Sequence, residues 1–321
     1  MGEFDLIDRF FKRPARRADL GVGDDCALLS PRPGHQLALS ADMLVEGRHF
    51  LSTADPVRLG HKCLAVNLSD LAACGAEPRA FLLSLALPRA DESWLGGFSQ
   101  GLFALADAHG CELIGGDTTQ GPLNISITVI GDVPRGLALL RSGAQKGDDI
   151  YVSGSLGDAR LALEAFRGHL SLPESVFARC RERMERPLPR VALGMALRDI
   201  ASAAADISDG LLGDMGHILR QSGVGAQLHV DACENLLACR HEIDLPASWR
   251  RTCTLSGGDD YELVFTAPPS RRSAVEQAAQ ISQTPVTRIG TITQAPGVEL
   301  LDAQSQRVTT RFASFDHFAQ D

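Results

Sequence analysis

The chain has 321 residues, 44% of them hydrophobic, and a net charge of −9. That length exceeds one ordinary small domain and predicts two, and the acidity excludes nucleic acid as a main partner, because phosphate neutralisation needs clustered cations. Only Lys12, Lys62 and Lys146 are lysines, the other cations being arginines, so a bound polyphosphate must be neutralised largely by metal ions. Along the chain, Leu37 to Ser40 reads as a strand ending at Asp42. Asp55-Pro56 is an N-cap with proline at the first helical position, opening a helix that runs to Gly75 and sets Asn67 and Asp70 on one face. Ala80 to Leu87 is a buried strand. Asp91 caps a helix ending near Gly110, Cys111 to Ile114 is a strand stopping at Gly115-Gly116-Asp117, and Asn124 to Ile130 alternates as a half-buried strand does.

Pro134 to Asp149, rich in Gly, Arg and Ser, marks a domain boundary, with domains at 1–138 and 148–321. Beyond it, Asp149 to Ser153 is a strand leading through Gly154 to Asp158 into a helix. Glu174 to Arg186 is a charged helix whose arginines are expected to form a solvated face. Ala203 to Ile207 is a strand, Gly210 to Gln221 a helix, Tyr261 to Thr266 a strand, Ser270 to Ile281 a helix and Val286 to Thr293 a strand. The tail from Phe312 to Phe318 carries three aromatics. Strands and helices mixed in both halves predict two α/β domains with mixed sheets. No apolar stretch approaches the ~20 residues of a membrane span, and the first residues lack the apolar core of a signal peptide. The eight cysteines form no CxxC pair and read as reduced, mostly buried thiols of a cytoplasmic protein.

The chemistry is carried by six short acidic segments: Gly23-Asp24-Asp25, Ser40-Ala41-Asp42, Ser69-Asp70, Gly115-Gly116-Asp117, Asp206-Ile207-Ser208-Asp209 and Gly257-Gly258-Asp259-Asp260. Singly, each is an ordinary turn or cap; Asp209 is placed to cap a helix and Asp260 to sit in a surface turn. Together, at strand ends where α/β proteins bind ligands, they would repel one another strongly without cations. Mg²⁺ takes such oxygens and leaves room for substrate phosphates. No P-loop, complete dinucleotide fingerprint, HExxH or GxSxG occurs, so hydride transfer, zinc proteolysis and serine hydrolysis have no support.

GVGDDCALL (21–29), SADMLVEGRHF (40–50), AVNLSDLAACGAEP (65–78), LIGGDTTQGPL (113–123), RSGAQKGDDIYVSG (141–154), DISDGLLGD (206–214), SGGDDYELVFT (256–266) and FDHF (315–318) closely resemble the thiamine-monophosphate kinases. That family belongs to the superfamily of aminoimidazole ribonucleotide synthetase and selenophosphate synthetase. The resemblance implies the two-domain synthetase-like fold and ATP-dependent phosphorylation of thiamine monophosphate to thiamine diphosphate. It also implies several Mg²⁺ ions and a homodimer. By position it marks Asp25, Ser40, Asp42, Asp70, Asp117, Asp206 and Asp209 as metal ligands. Gly116, Asp117, Arg141 and Ser208 stand as ATP contacts, and His49, Asp259 and Phe315 as contacts to the thiamine side. Ala41, Asp259 and Phe315 replace the Thr, Glu and Tyr or Trp of the family pattern. No general base is implied, since a phosphate acceptor is already anionic. The alternatives are another ATP-dependent enzyme of the superfamily, or a non-catalytic metal- or nucleotide-binding module.

Overall fold

A computed structural model describes residues 2–309 and Phe312. The chain divides into two compact units, residues 1–71 with 76–136, and residues 72–75 with 137–321. No helix among the described residues is long and apolar enough to cross a membrane.

The first unit contains α1 (Glu3–Phe10), β1 (His35–Val45), α2 (Pro56–Ala73), β2 (Glu77–Leu87), α3 (Glu92–Ala108), β3 (Glu112–Gln120) and β4 (Asn124–Pro134). Its sheet has the order β1-β4-β2-β3, with β2 and β3 parallel and the other pairs antiparallel. Asp55 and Asp91 behave as the sequence predicts. The Asp55 carboxylate accepts from the Arg58 N–H at 3.0 Å, and that of Asp91 from the Ser93 and Trp94 N–H groups at 3.0 and 3.1 Å. Residues 59–69 of α2 are buried without a break, as expected of a helix covered on all sides. One of its neighbours is α3, which approaches so closely that a Cβ on Gly101 would stand 1.8 Å from the Val57 carbonyl oxygen, and one on Gly60 2.0 Å from that of Phe98.

Two acidic segments expected at strand ends lie inside strands. β1 continues past Asp42 to Val45, paired with β4 throughout, and β3 continues past Asp117 to Gln120, paired with β2. Both are edge strands, where a polar side chain stays hydrated while its backbone pairs. The register shift between Phe81 and Leu82 leaves Ile114 as an extra residue on β3, between Leu113 and Gly115. Gly116 has φ 148°, and a Cβ there would lie 1.8 Å from the Leu83 carbonyl oxygen.

The second unit contains β5 (Asp149–Ser153), α4 (Asp158–Phe166), α5 (Glu174–Glu185), α6 (Val191–Ala196), β6 (Ala203–Ile207), α7 (Leu211–Ser222), β7 (Gly225–His229), α8 (Val230–Glu234), α9 (Ala247–Ser256), β8 (Glu262–Ala267), α10 (Arg272–Ile281), β9 (Val286–Thr293) and β10 (Gly297–Leu301). The six strands form a mixed sheet, β10-β7-β9-β5-β8-β6. One core includes Ile150, Val152 and Val264 of the sheet with Leu211, Met215 and Ile218 of α7; a second joins α4, α5 and the segment around Leu237 and Cys239. The arginines of α5 are not simply a solvated face. Arg183 of α5 and Arg190, the residue before α6, both ion-pair with Glu262, at 2.7 and 2.6 Å, and the Glu262 side chain is fully buried. A carboxylate there requires cationic partners. All eight cysteines are free; Cys26 is exposed, Cys74 half-buried and the others buried.

Gly101→Ala is expected to destabilise the protein by about 2–3 kcal/mol, because α2 and α3 must separate. Gly96→Ala in the same helix meets nothing nearer than the Phe10 ring at 3.8 Å, and should be neutral or stabilising by up to ~1 kcal/mol from helix propensity. Urea midpoints of the two variants check the contrast, and equal effects would refute the tight crossing.

Candidate functional site

In the first unit, residues two apart on β1 meet residues three apart on α2. The Ser40 hydroxyl donates a short hydrogen bond to the Asp70 carboxylate. The Asp42 N–H donates to the Asn67 side-chain carbonyl at 3.1 Å, and the Asn67 amide donates on to the Cys63 carbonyl oxygen at 2.9 Å. Asn67 is fully buried, so its amide sets the distance between strand and helix. The spacing follows from geometry: alternate strand residues share a face, as do helix residues three apart. Asn67 carries no charge to mark it in the sequence, and its fixing of the Asp42 backbone emerges only from the fold.

The other predicted residues of this unit lie elsewhere. One row of paired residues runs Met43, Ser126, Ser84, Asp117 across all four strands, so Asp117 shares a face with Met43. The next row, Asp42, Ile127, Leu83, Gly116, belongs to the opposite face. Asp117 is therefore across the sheet from Asp42. Asp25 is exposed in a turn where its N–H donates to Asp24 at 2.8 Å. Among the described residues, no hydrogen bond joins Asp25 to Ser40, Asp42, Asp70 or Asp117. His49 is half-buried in a tight turn, and its Nδ1 accepts the Val45 N–H at 3.0 Å. In the neutral ring, this places the proton on Nε2.

In the second unit, two acidic loops interlock beyond the adjacent ends of β6 and β8. The Asp259 N–H donates to the Ser208 carbonyl at 2.8 Å and the Tyr261 N–H to that of Ile207 at 2.9 Å. A Cβ on Gly258 would lie 2.4 Å from the Ser208 carbonyl oxygen, so glycine is needed for this approach. Asp259 and Tyr261 adopt positive φ, 71° and 52°, a strained state for non-glycine residues that clusters at functional sites. Asp260 faces inward rather than forming a surface turn: it is 3% exposed and accepts the Gly157 N–H at 2.9 Å. Burial pushes its carboxyl well above the ordinary range. Asp206 is also buried, at the end of β6.

Gly210, not Asp209, is the N-cap of α7. Asp214, in the first turn of α7, instead reaches back to the preceding loop and accepts the Ser208 and Asp209 N–H groups, both at 3.0 Å. It thus holds the backbone of two predicted ligands. Burial, together with the charge of Asp209, pushes the Asp214 carboxyl up to about 6 against the pull of those N–H donors. Exposed Arg141 is close enough to act electrostatically on Asp214 and His217. The Ser222 hydroxyl accepts the Gly143 and Ala144 N–H groups at 3.1 Å, fixing the segment that follows Arg141. Burial and the cations Arg141 and Arg220 hold His217 below its usual range. Phe315 lies outside the described residues.

The donors collected in each unit are carboxylate, hydroxyl and carbonyl oxygens. That set fits a hard cation such as Mg²⁺ and not a thiophilic one. Ser40, Asp42 and Asp70 would hold such a cation in the first unit, and Asp206 and Asp209 in the second.

Asp214 yields a pH prediction. Because its folded pKa of about 6 exceeds the unfolded value of 3.8, its contribution to stability is complete below about pH 4 and is lost as pH rises through about 6. Asp214→Asn keeps an acceptor for both N–H groups but cannot ionise. Relative to the wild type, its stability should increase by roughly 3 kcal/mol between those limits, at ~1.4 kcal/mol per pH unit. Metal-free urea unfolding across this range checks it, and parallel curves would refute the burial-raised carboxyl.

Residues 23–133 match the family model "AIR synthase related protein, N-terminal domain" and residues 145–303 that of "AIR synthase related protein, C-terminal domain". A thiamine-monophosphate kinase of Salmonella typhimurium is 46% identical over 323 residues, 99% of this chain and 98% of the relative. The crystal structure of thiamine-monophosphate kinase from Stenotrophomonas maltophilia K279a is similar at a TM-score of 0.84 and 46% identity, over 94% of this chain and 96% of that one. The structure of AaThiL complexed with AMPPCP and TMP is similar at a TM-score of 0.75 and 29% identity, over 99% and 97%. Two matched domains in order, mixed sheets in both units and near-complete identity coverage agree: this chain belongs to the thiamine-monophosphate kinase family, with its two-domain AIR synthase-related fold.

Proposed function

We propose that this protein transfers the γ-phosphoryl group of ATP to thiamine monophosphate, giving thiamine diphosphate and ADP with the help of several Mg²⁺ ions. The observation that carries the reading is the full-length similarity to thiamine-monophosphate kinases, among them one complexed with AMPPCP and TMP. The local geometry supports it. The acceptor is a phosphate monoester whose oxygens are anionic at neutral pH, so a phosphate oxygen attacks the γ-phosphorus with no proton to remove. The new P–O bond forms as the bond to ADP breaks. The obstacle is the meeting of two anions, and catalysis is positioning plus electrostatic stabilisation. When bound, Mg²⁺ would supply charge neutralisation at the phosphates.

The chain's own residues act around that chemistry. Ser40, Asp42 and Asp70, set by Asn67, form one rigid group of cation ligands, while Asp117, on the opposite face of the sheet, and Asp25, in an exposed turn, take cations apart from that group. Asp206 and Asp209 form the other group, with Asp214 fixing the loop. Gly116, Asp117, Ser208 and Arg141 contact ATP, the last with a guanidinium suited to bidentate phosphate binding. His49 offers Nε2–H to the thiamine side, where Asp259 and Phe315 also act. The enzyme is a homodimer: Leu37, Leu39 and Met43 leave an apolar strip on β1, exposed at 40%, 63% and 55%, which suits a second copy. Eight cysteines outside any disulfide favour the cytoplasm.

Product analysis with ATP, Mg²⁺ and thiamine monophosphate tests the reading. Thiamine diphosphate should form in step with ADP and only with a divalent cation; ATP hydrolysis without diphosphate would overturn it. Asp209→Asn tests the ligand role. It should raise the Mg²⁺ requirement and lower turnover by more than the ~10–100-fold that loss of an outer-sphere partner costs, with near-native melting. Unchanged activity at limiting Mg²⁺ would remove Asp209 from the metal group.

A further inference from the structure

A second set of ligand-type side chains lies in the second unit, with a different chemistry. Asp158, the first residue of α4, Cys180 in the middle of α5, and Cys239 in the segment after α8 are all buried. Each offers one ligand atom, and these three atoms lie within 4.8 Å of one another. The three residues border a cavity of about 330 Å³, also lined by Ser155 and Ala238. Buried cysteines commonly serve as small apolar residues, and both belong to the core shared by α4 and α5. The carboxylate does not fit that account. Asp158 is 3% exposed, and no ion pair reaches it among the described residues. Its oxygens accept from the Cys180 thiol at 3.9 Å and from the Ala238 N–H at 3.3 Å, and Cys239 hydrogen-bonds to it through both thiol and backbone, so the acid is turned toward both sulfur atoms.

We propose that Asp158, Cys180 and Cys239 bind a thiophilic divalent cation of the Zn²⁺ class, at a site separate from the oxygen-donor groups. Two thiolates and one carboxylate are the donor types that Zn²⁺ takes, and thiolates disfavour Mg²⁺. In a tetrahedral site with Zn–S bonds of ~2.3 Å, two thiolates stand roughly 3.8 Å apart. Ligand atoms already within 4.8 Å therefore need only a small inward movement. The cavity admits a water as the fourth ligand. Three anionic ligands leave the loaded site with one net negative charge, and Arg183 is near enough to act on Asp158 electrostatically. The cation takes the place of the protons on its ligands, which pass to solvent. Bound there, it ties α4, α5 and the segment after α8 together.

The test uses the full chain, reduced and saturated with Mg²⁺. Titration with Zn²⁺ against a chromophoric chelator should give one equivalent that Cys180→Ser and Cys239→Ser each abolish and that Cys26→Ser, at the exposed cysteine, retains. The wild type alone should gain melting temperature on Zn²⁺ addition. Equal uptake by wild type and both site variants would overturn the proposal. Should the variants fail to fold, Co²⁺ loading of the wild type decides. Sulfur-to-cobalt charge-transfer absorption at one equivalent with tetrahedral visible bands supports the site, and their absence overturns it.

Discussion

Carboxylates crowded into poorly hydrated positions must be neutralised, and the ways in which this chain does so organise both of its units. Some acids receive guanidinium groups. Asp132 pairs with Arg32 and Arg79, Glu262 with Arg183 and Arg190, and Asp149 with Arg272 and Arg288. The Arg272 hydrogen bonds hold Asp149 below the usual carboxylate range, with burial opposing and Arg288 adding to the effect. Removing one partner from such a pair is costly, since it leaves a buried charge uncompensated. Other acids receive backbone N–H groups, as Asp214 does, or remain protonated, as burial favours for Asp260. Counting acidic residues therefore does not locate a metal site; the partner of each one does.

The same constraint explains the form of the two oxygen-donor groups. A cation ligand set must hold like charges close together before the cation arrives, so the backbone beneath them has to be rigid. In the first unit that rigidity comes from a fully buried amide, Asn67, bonded both to the strand and back to its own helix. In the second it comes from two loops that extend the β6–β8 pairing beyond the strands, with Asp214 drawing two N–H groups together. Glycines make both arrangements possible. Gly116 lets β3 approach the Leu83 carbonyl of β2, and Gly258 lets one acidic loop lie on the other. In each case a side chain would collide with a carbonyl oxygen, so these positions serve the backbone as well as any ligand.

Much was legible in the sequence by itself. Apolar periodicity, Asp55-Pro56 and Asp91 placed α2 and α3, though not α1, because caps and helical faces depend on residues only a few positions apart. The ordered acidic motifs identified the family, and the scarcity of lysine pointed to cations as the means of neutralising phosphate. Tertiary structure alone decided which way each acid faces. Asp42 and Asp117 sit in similar motifs but on opposite faces of one sheet, because pairing register, including a shift at Phe81 and Leu82, is set by strands far apart in the chain. Asp259 and Asp260 are neighbours, yet one has strained backbone in the loop contact and the other is buried beneath Gly157. Arg183 looked like a solvated residue until β8 brought Glu262 beside it. Asp214 and the grouping of Asp158 with two cysteines had no local signal, and helical spacing set Asn67 beside Asp70 without revealing its bond to the Asp42 backbone, since hydrogen bonding, burial and desolvation depend on packing between distant segments.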